Sequence, residues 1–243
     1  MTKSRPPVDG LCDECGFNYD TGDLQGTVTT LIRQSAESSM ALTKAAASKD
    51  PGVVRIRPEP EVWSAIEYAC HVRDVLETQR FRIAQCLAED RPVYAPMDRT
   101  GRVKQEKYED QDPMEVAAAL MRFAREFGAA ARVLTPPQLG KLGLYNYPVR
   151  APRSLSWIIR HTAHEIQHHR HDIIKILAVL EPPIIPAPKP EPTPESEDGT
   201  GVEVSESETG TGGTGAGEAG IGSGEAGDQF TGDAEDPAAA ERD

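Results

Sequence analysis

The sequence predicts an all-α protein, a four-helix bundle. Four long segments place apolar residues at helical steps, strand signals are nearly absent between residues 20 and 180, and caps or prolines punctuate the segment ends. Residues 23–47 carry Leu24, Val28, Leu31, Ile32 and Leu42 at that spacing, and Pro51-Gly52 lies just beyond the end. Residues 61–89 hold the longest pattern, from Trp63 and Ile66 through Leu76 to Ile83 and Leu87; Pro58 and Pro60 bar a helix before it. Residues 112–134 open with Asp112 as N-cap, Pro113 in the first turn and Glu115 behind it, and close at Pro136-Pro137. Residues 154–180 open at Ser154 and stop before Pro182-Pro183. Each helix has one apolar face, so four of them can bury one another. The two connections of about twenty residues after the second and third helices are long enough to shape a site, with room for a short helix or hairpin.

Two segments flank this bundle of residues 21–180. Residues 1–20 contain Cys12-Asp13-Glu14-Cys15-Gly16-Phe17. Residues 181–243 are rich in Pro, Gly and Glu without apolar periodicity, a composition that predicts a disordered tail. That tail has 16 acidic residues against Lys189 and Arg242, whereas residues 1–180 have 23 acidic and 24 basic. The net charge of −13 therefore belongs to the tail and says nothing about what the bundle binds. Balanced charge without a basic patch argues against nucleic acid. No apolar run is long enough to span a membrane, and the opening residues lack an apolar leader, so a cytoplasmic location is expected. Four cysteines in a chain of this length do not make a disulfide framework; Cys70 and Cys86 read as core.

Five of the six histidines fall within residues 161–172. At about 100° per residue, His161, His164, His168 and His171 share an arc of roughly 80°, Asp172 borders it and His169 points away. His164 and His168 are i, i+4 neighbours, near enough to grip one ion, and neutral imidazoles suit Zn, Ni or Fe(II). His164-Glu165-Ile166-Gln167-His168 also matches the zinc-protease pattern by letters. A protease needs a third ligand downstream, and the following residues supply neither the glycine nor the histidine that extends such motifs. The remaining histidine is His71, in the middle of the second helix. His71, His164 and His168 then make a three-histidine site with open positions, the catalytic arrangement.

The stretches Trp63–Leu76 and His161–Ile173 together resemble the DinB-like superfamily. The resemblance implies a bundle of up-down-down-up type, with metal held by one histidine of the second helix and a His-x₃-His pair of the last. It thus implies ligands at His71, His164 and His168. It also implies thiol-dependent transferase or isomerase chemistry, with mycothiol or another low-molecular-weight thiol and an electrophilic small molecule as partners. A metal-dependent hydrolase, with Glu165 or Asp172 as base, and a non-catalytic metal-binding or stress module are the alternatives.

Other groups have candidate supporting roles. Glu67 and Asp74 flank His71 on its helix, and Asp172 lies at i+4 from His168, each placed either to accept a ligand's second N–H or to be a solvated or ion-paired side chain. His161 and His171 line the mouth of a pocket or lie exposed. Arg99, Arg102, Lys104 and Lys107 in the first long loop either meet an anionic cofactor or are solvated. Cys12 and Cys15 form half of a zinc knuckle, read three ways: a second metal site completed by histidines such as His169 or His171, a redox pair, or a metal shared in a homodimer.

Overall fold

A computed structural model describes residues 9–20, 22–147 and 150–180; the tail expected over 181–243 and the first eight residues lie outside the described residues. In chain order the elements are α1 (Leu24–Ala46), α2 (Ala65–Ala88), α3 (Arg99–Gln105), α4 (Pro113–Arg132), α5 (Pro136–Leu139), β1 (Leu142–Tyr145), β2 (Ala151–Ser154) and α6 (Leu155–Leu180). Single 3₁₀ turns occupy Pro51–Arg55 and Tyr108–Asp110. The four long helices α1, α2, α4 and α6 form the bundle. α1 and α2 each pack against both α4 and α6 and only lightly against each other, so α1 stands diagonally across the bundle from α2, while α2 and α4 are neighbours. None of the described helices is long and apolar enough to cross a membrane.

Local chemistry fixes the helix starts. Asp23 accepts from the Gly26 N–H at 2.7 Å, and Asp112 accepts from both Met114 and Glu115 behind Pro113. The Ser154 hydroxyl takes the Trp157 N–H at 3.2 Å. α2 begins at Ala65, four residues later than the sequence pattern suggests. Ser64 and Glu67 form a reciprocal capping box there, which satisfies two backbone donors and fixes the first turn after Trp63.

Two apolar clusters fill the bundle. One gathers Leu31, Leu76, Leu120, Phe127, Ile158 and Ile166, and the other Leu42, Ile66, Tyr108, Val116 and Ile173. Each fully buried Leu or Ile contributes about 1.5–3 kcal/mol. Polar residues mark the seam: Gln34, Ser35 and Ser38 fall between Leu31 and Leu42, and His71 sits between Cys70 and Val72. Gln34 Nε2 donates to Gln167 Oε1 at 2.9 Å, and Ser35 and Ser38 donate to carbonyls of their own helix. Buried polar groups have to be paired or bound, and His71 is one of those that lie in this seam.

The two long connections build a roof beside α2. The first contains α3. The second contains the β1–β2 hairpin, paired antiparallel from Leu142 opposite Ser154 to Tyr145 opposite Ala151. Gly143 is required in β1 because a Cβ there would lie 2.3 Å from the Tyr94 hydroxyl.

Candidate metal centre

α6 carries two i, i+4 pairs one residue out of step, so they face directions about 100° apart. His71 of α2 meets Glu165 and His169, while Cys12 and Cys15 meet His164 and His168; within each group the ligand atoms lie within 4.8 Å of one another.

In the first group Glu165 Oε2 lies 3.8 Å from His71 Nε2 and 3.6 Å from His169 Nε2. Ligands about 2.1 Å from one ion stand ~3.0–3.4 Å apart, so a slight contraction would gather these three around a metal. His169 Nδ1 donates to Asp172 Oδ2 at 2.9 Å. A carboxylate only accepts, so a proton sits on Nδ1 and Nε2 is the nitrogen through which a metal would bind. His71 is 2% exposed, and neither ring nitrogen has a hydrogen-bond partner among the described residues. An unpaired buried imidazole is costly unless something else takes its lone pair.

Charge follows the same arrangement. Burial pushes the Glu165 carboxyl up, but the imidazoles of His169, His71 and His161 outweigh it and hold the group well below the usual carboxylate range. Burial lowers the pKa of His71 and His161, and lowers that of His164 to about 4. These three rings stay neutral, as ligands must be. His169 departs from them. Burial would lower its pKa, yet Asp172 and Glu165 on either side raise it to about 9, so at neutral pH a proton occupies the place a metal would take.

A cavity of about 290 Å³ opens beside this group, with His71, Glu165 and His161 on its wall. His161 Nδ1 is 2.8 Å from the Tyr19 hydroxyl, and Nε2 is 3.8 Å from Glu165 Oε1. Val75, Thr78, Gln79 and Arg82 extend the wall along one face of α2. Arg82 is 8% exposed, and its guanidinium donates to the Tyr145 hydroxyl at 2.9 Å and the Ala95 carbonyl at 2.6 Å and lies over the Tyr145 ring. No ion pair to Arg82 forms among the described residues. Arg99, stacked on Tyr147, and Asp98 close the roof.

The structure gathers the expected ligands into two groups rather than one. His164 and His168 come together as expected, but not with His71, which groups with Glu165 and His169. The reason is register: an arc anchored on His161 excludes His169, yet Glu165 and His169 are the pair that faces His71. Asp172 serves His169 at i+3 rather than His168. Glu165 and Asp172, the expected bases, are engaged with imidazoles. Glu67 is taken by Arg57 and by the Ser64 cap, and Asp74 accepts from Arg73, Arg102 and Tyr108, so neither supports His71. Of the loop cations Arg99 lines the cavity, Arg102 bonds Asp74, and Lys104 and Lys107 are exposed. His161 lines the cavity and His171 is exposed. Cys70 and Cys86 are buried core, and all four cysteines are free thiols. Sequence reasoning missed Arg82 and Gln79, although both follow His71 at helical steps (i+11 and i+8).

The DinB superfamily model matches residues 34–173, a stretch that includes His71, Glu165 and His169 but not Cys12 or Cys15. Among solved structures the chain is similar to YfiT from Bacillus subtilis, described as a probable metal-dependent hydrolase with an unusual four-helix bundle topology. The TM-score is 0.53 at 17% identity, over 61% of this chain and 85% of that one, a likeness of fold. None of the curated proteins matches this chain.

Proposed function

This chain belongs to the DinB superfamily, and on that premise we propose that it is a metal-dependent enzyme acting on a small anionic molecule. The observation that carries the reading is that His71 and Glu165 are both members of the gathered donor set and part of the cavity wall. Two imidazoles and a carboxylate suit Zn, Ni or Fe(II), and such an ion would supply Lewis acidity, lowering the pKa of a thiol or water reaching it.

The chain's own residues do the rest. Asp172 fixes the His169 tautomer and orients the ring. Arg82 offers the substrate a cation that has no ion-pair partner among the described residues, in a buried wall, where a carboxylate gains a charge-assisted hydrogen bond. About 16 Å of helix axis separates the His71 and Arg82 backbones, and the arginine side chain leans back towards His71. A molecule with its anionic group several bonds from its reacting carbon fits that span. His161, its Nδ1 tied to Tyr19, stands at the cavity to accept the proton of the attacking group.

S-transfer is the first reading. A low-molecular-weight thiol, mycothiol or a relative, gives its proton to His161, and its sulfur forms a C–S bond to the substrate held at Arg82: it either adds to a conjugated C=C, whose π pair moves into the carbonyl system and takes the proton back from His161, or displaces a leaving group such as chloride. The second reading is hydrolysis with water as nucleophile, which the description of YfiT favours. The test is turnover by the metal-loaded chain of maleylpyruvate, chlorodinitrobenzene and simple esters, with and without mycothiol. Thiol-dependent turnover supports the first reading and thiol-independent turnover the second. Turnover that survives metal removal, or that is undiminished in His71→Ala, contradicts both.

A further inference from the structure

The reaction proposed above uses neither Cys12 nor Cys15, and both lie outside the stretch that matches the family model. The segment that carries them is nonetheless built for a purpose. Residues 10–19 turn back on themselves: Tyr19 N–H donates to the Gly10 carbonyl at 2.9 Å, Cys12 N–H to Phe17 at 2.8 Å and Gly16 N–H to Cys12 at 2.8 Å. Gly16 has φ +72°, a left-handed conformation that glycine adopts without strain and that closes the turn directly after the second cysteine. Cys12 is 2% exposed, and its sulfur lies 3.8 Å from His168 Nδ1. The other nitrogen of His168, Nε2, lies 3.2 Å from Glu14, which leaves Nδ1 for a metal. His164 is 1% exposed, and both of its nitrogens are without a hydrogen-bond partner among the described residues. No disulfide joins the thiols.

We propose that Cys12, Cys15, His164 and His168 bind one zinc ion as a closed, four-ligand structural site that fastens the N-terminal segment to α6. Two thiolates and two imidazoles form a tetrahedral donor set that selects zinc and leaves no position for a substrate. The two thiolates balance the charge of the ion. The site holds Phe17 and Tyr19 against the His164 ring, and it keeps the Tyr19 hydroxyl on His161 at the cavity wall. Gln167 adds a direct bond, Nε2 to the Cys15 carbonyl at 2.8 Å. No ligand is shared with the group of His71, Glu165 and His169, so each site can fail while the other stands.

Cobalt substitution of the full chain tests this. The cobalt-loaded wild type should show a thiolate-to-cobalt charge-transfer band in the near ultraviolet and intense tetrahedral bands in the visible. Cys12→Ser and Cys15→Ser should each release one metal per chain and with it the thiolate charge-transfer band, whereas His71→Ala should keep the band. A wild type that binds cobalt without thiolate charge transfer overturns the proposal, and that measurement needs no variant to fold. A Cys12→Ser chain that keeps the full wild-type metal content and band also overturns it.

Discussion

Replacing Asp172 probes how the proposed metal centre would be held together. The carboxylate accepts from His169 Nδ1 at 2.9 Å, with the two side chains 29% and 14% exposed, so the bond is charge-assisted and partly shielded from water. A hydrogen bond to a charged group is worth about 1.5–3 kcal/mol. Loss of the partner that orients a metal-ligating histidine costs about 10–100-fold in metal affinity, or ~1.4–2.8 kcal/mol, which agrees. Asp172→Asn keeps an acceptor and should lie near tenfold, while Asp172→Ala should approach a hundredfold. The pH of the assay decides whether that loss is seen. Asp172 also helps raise the His169 pKa to about 9, so at neutral pH the wild type must expel a proton that the variants hold less tightly, and the two effects oppose each other. The full loss should appear above pH 9 and shrink towards pH 7. Competition titration against a colorimetric chelator at both pH values measures it. Wild-type affinity in Asp172→Ala above pH 9 would refute the assignment of His169 as a ligand.

Other expectations follow from the same geometry. In the metal-free protein His169 has its pKa raised above the ordinary 6.5, so its stabilising contribution is complete below that pH and lost as pH rises through about 9; Glu165, with a lowered pKa, contributes above about 4.5 and loses its contribution on acidification. Thermal unfolding of the metal-free chain should therefore fall between pH 6.5 and 9, and His169→Gln should abolish that slope; an unchanged slope contradicts the pairing. Arg82→Lys keeps the charge but loses the fork, and should raise KM about tenfold with kcat little changed. A fall in kcat at constant KM would remove Arg82 from substrate anchoring. Gly143→Ala pushes a Cβ into the Tyr94 ring and should destabilise by about 1–3 kcal/mol, read as a lower Tm. An unchanged Tm would show that the hairpin yields freely.

The elements were legible wherever local chemistry sets them. Asp112-Pro113 and Ser154 mark their helix starts in the sequence as in the structure, and Cys70 and Cys86 are core as expected. The start of α2 was misplaced because Pro60 suits a first turn, while the Ser64–Glu67 box, also readable, fixes the true one. The candidate site was legible in composition but not in pairing. His164/His168 and Glu165/His169 have identical spacing, and their partners are chosen by elements far away in the chain: α2 on one side and the cysteine turn on the other. Helix periodicity shows which residues share a face, but not what packs against it. The same limit hid Arg82, whose meaning depends on Tyr145 and Ala95 arriving from separate loops.

The most direct test of the central claim is a crystal structure of the metal-loaded chain with an anomalous difference map at the absorption edge of the metal. The account predicts a peak about 2.1 Å from His71 Nε2, His169 Nε2 and the Glu165 carboxylate, at the wall of the cavity. The absence of a peak there, or a peak joining His71 to His164 and His168, would contradict it.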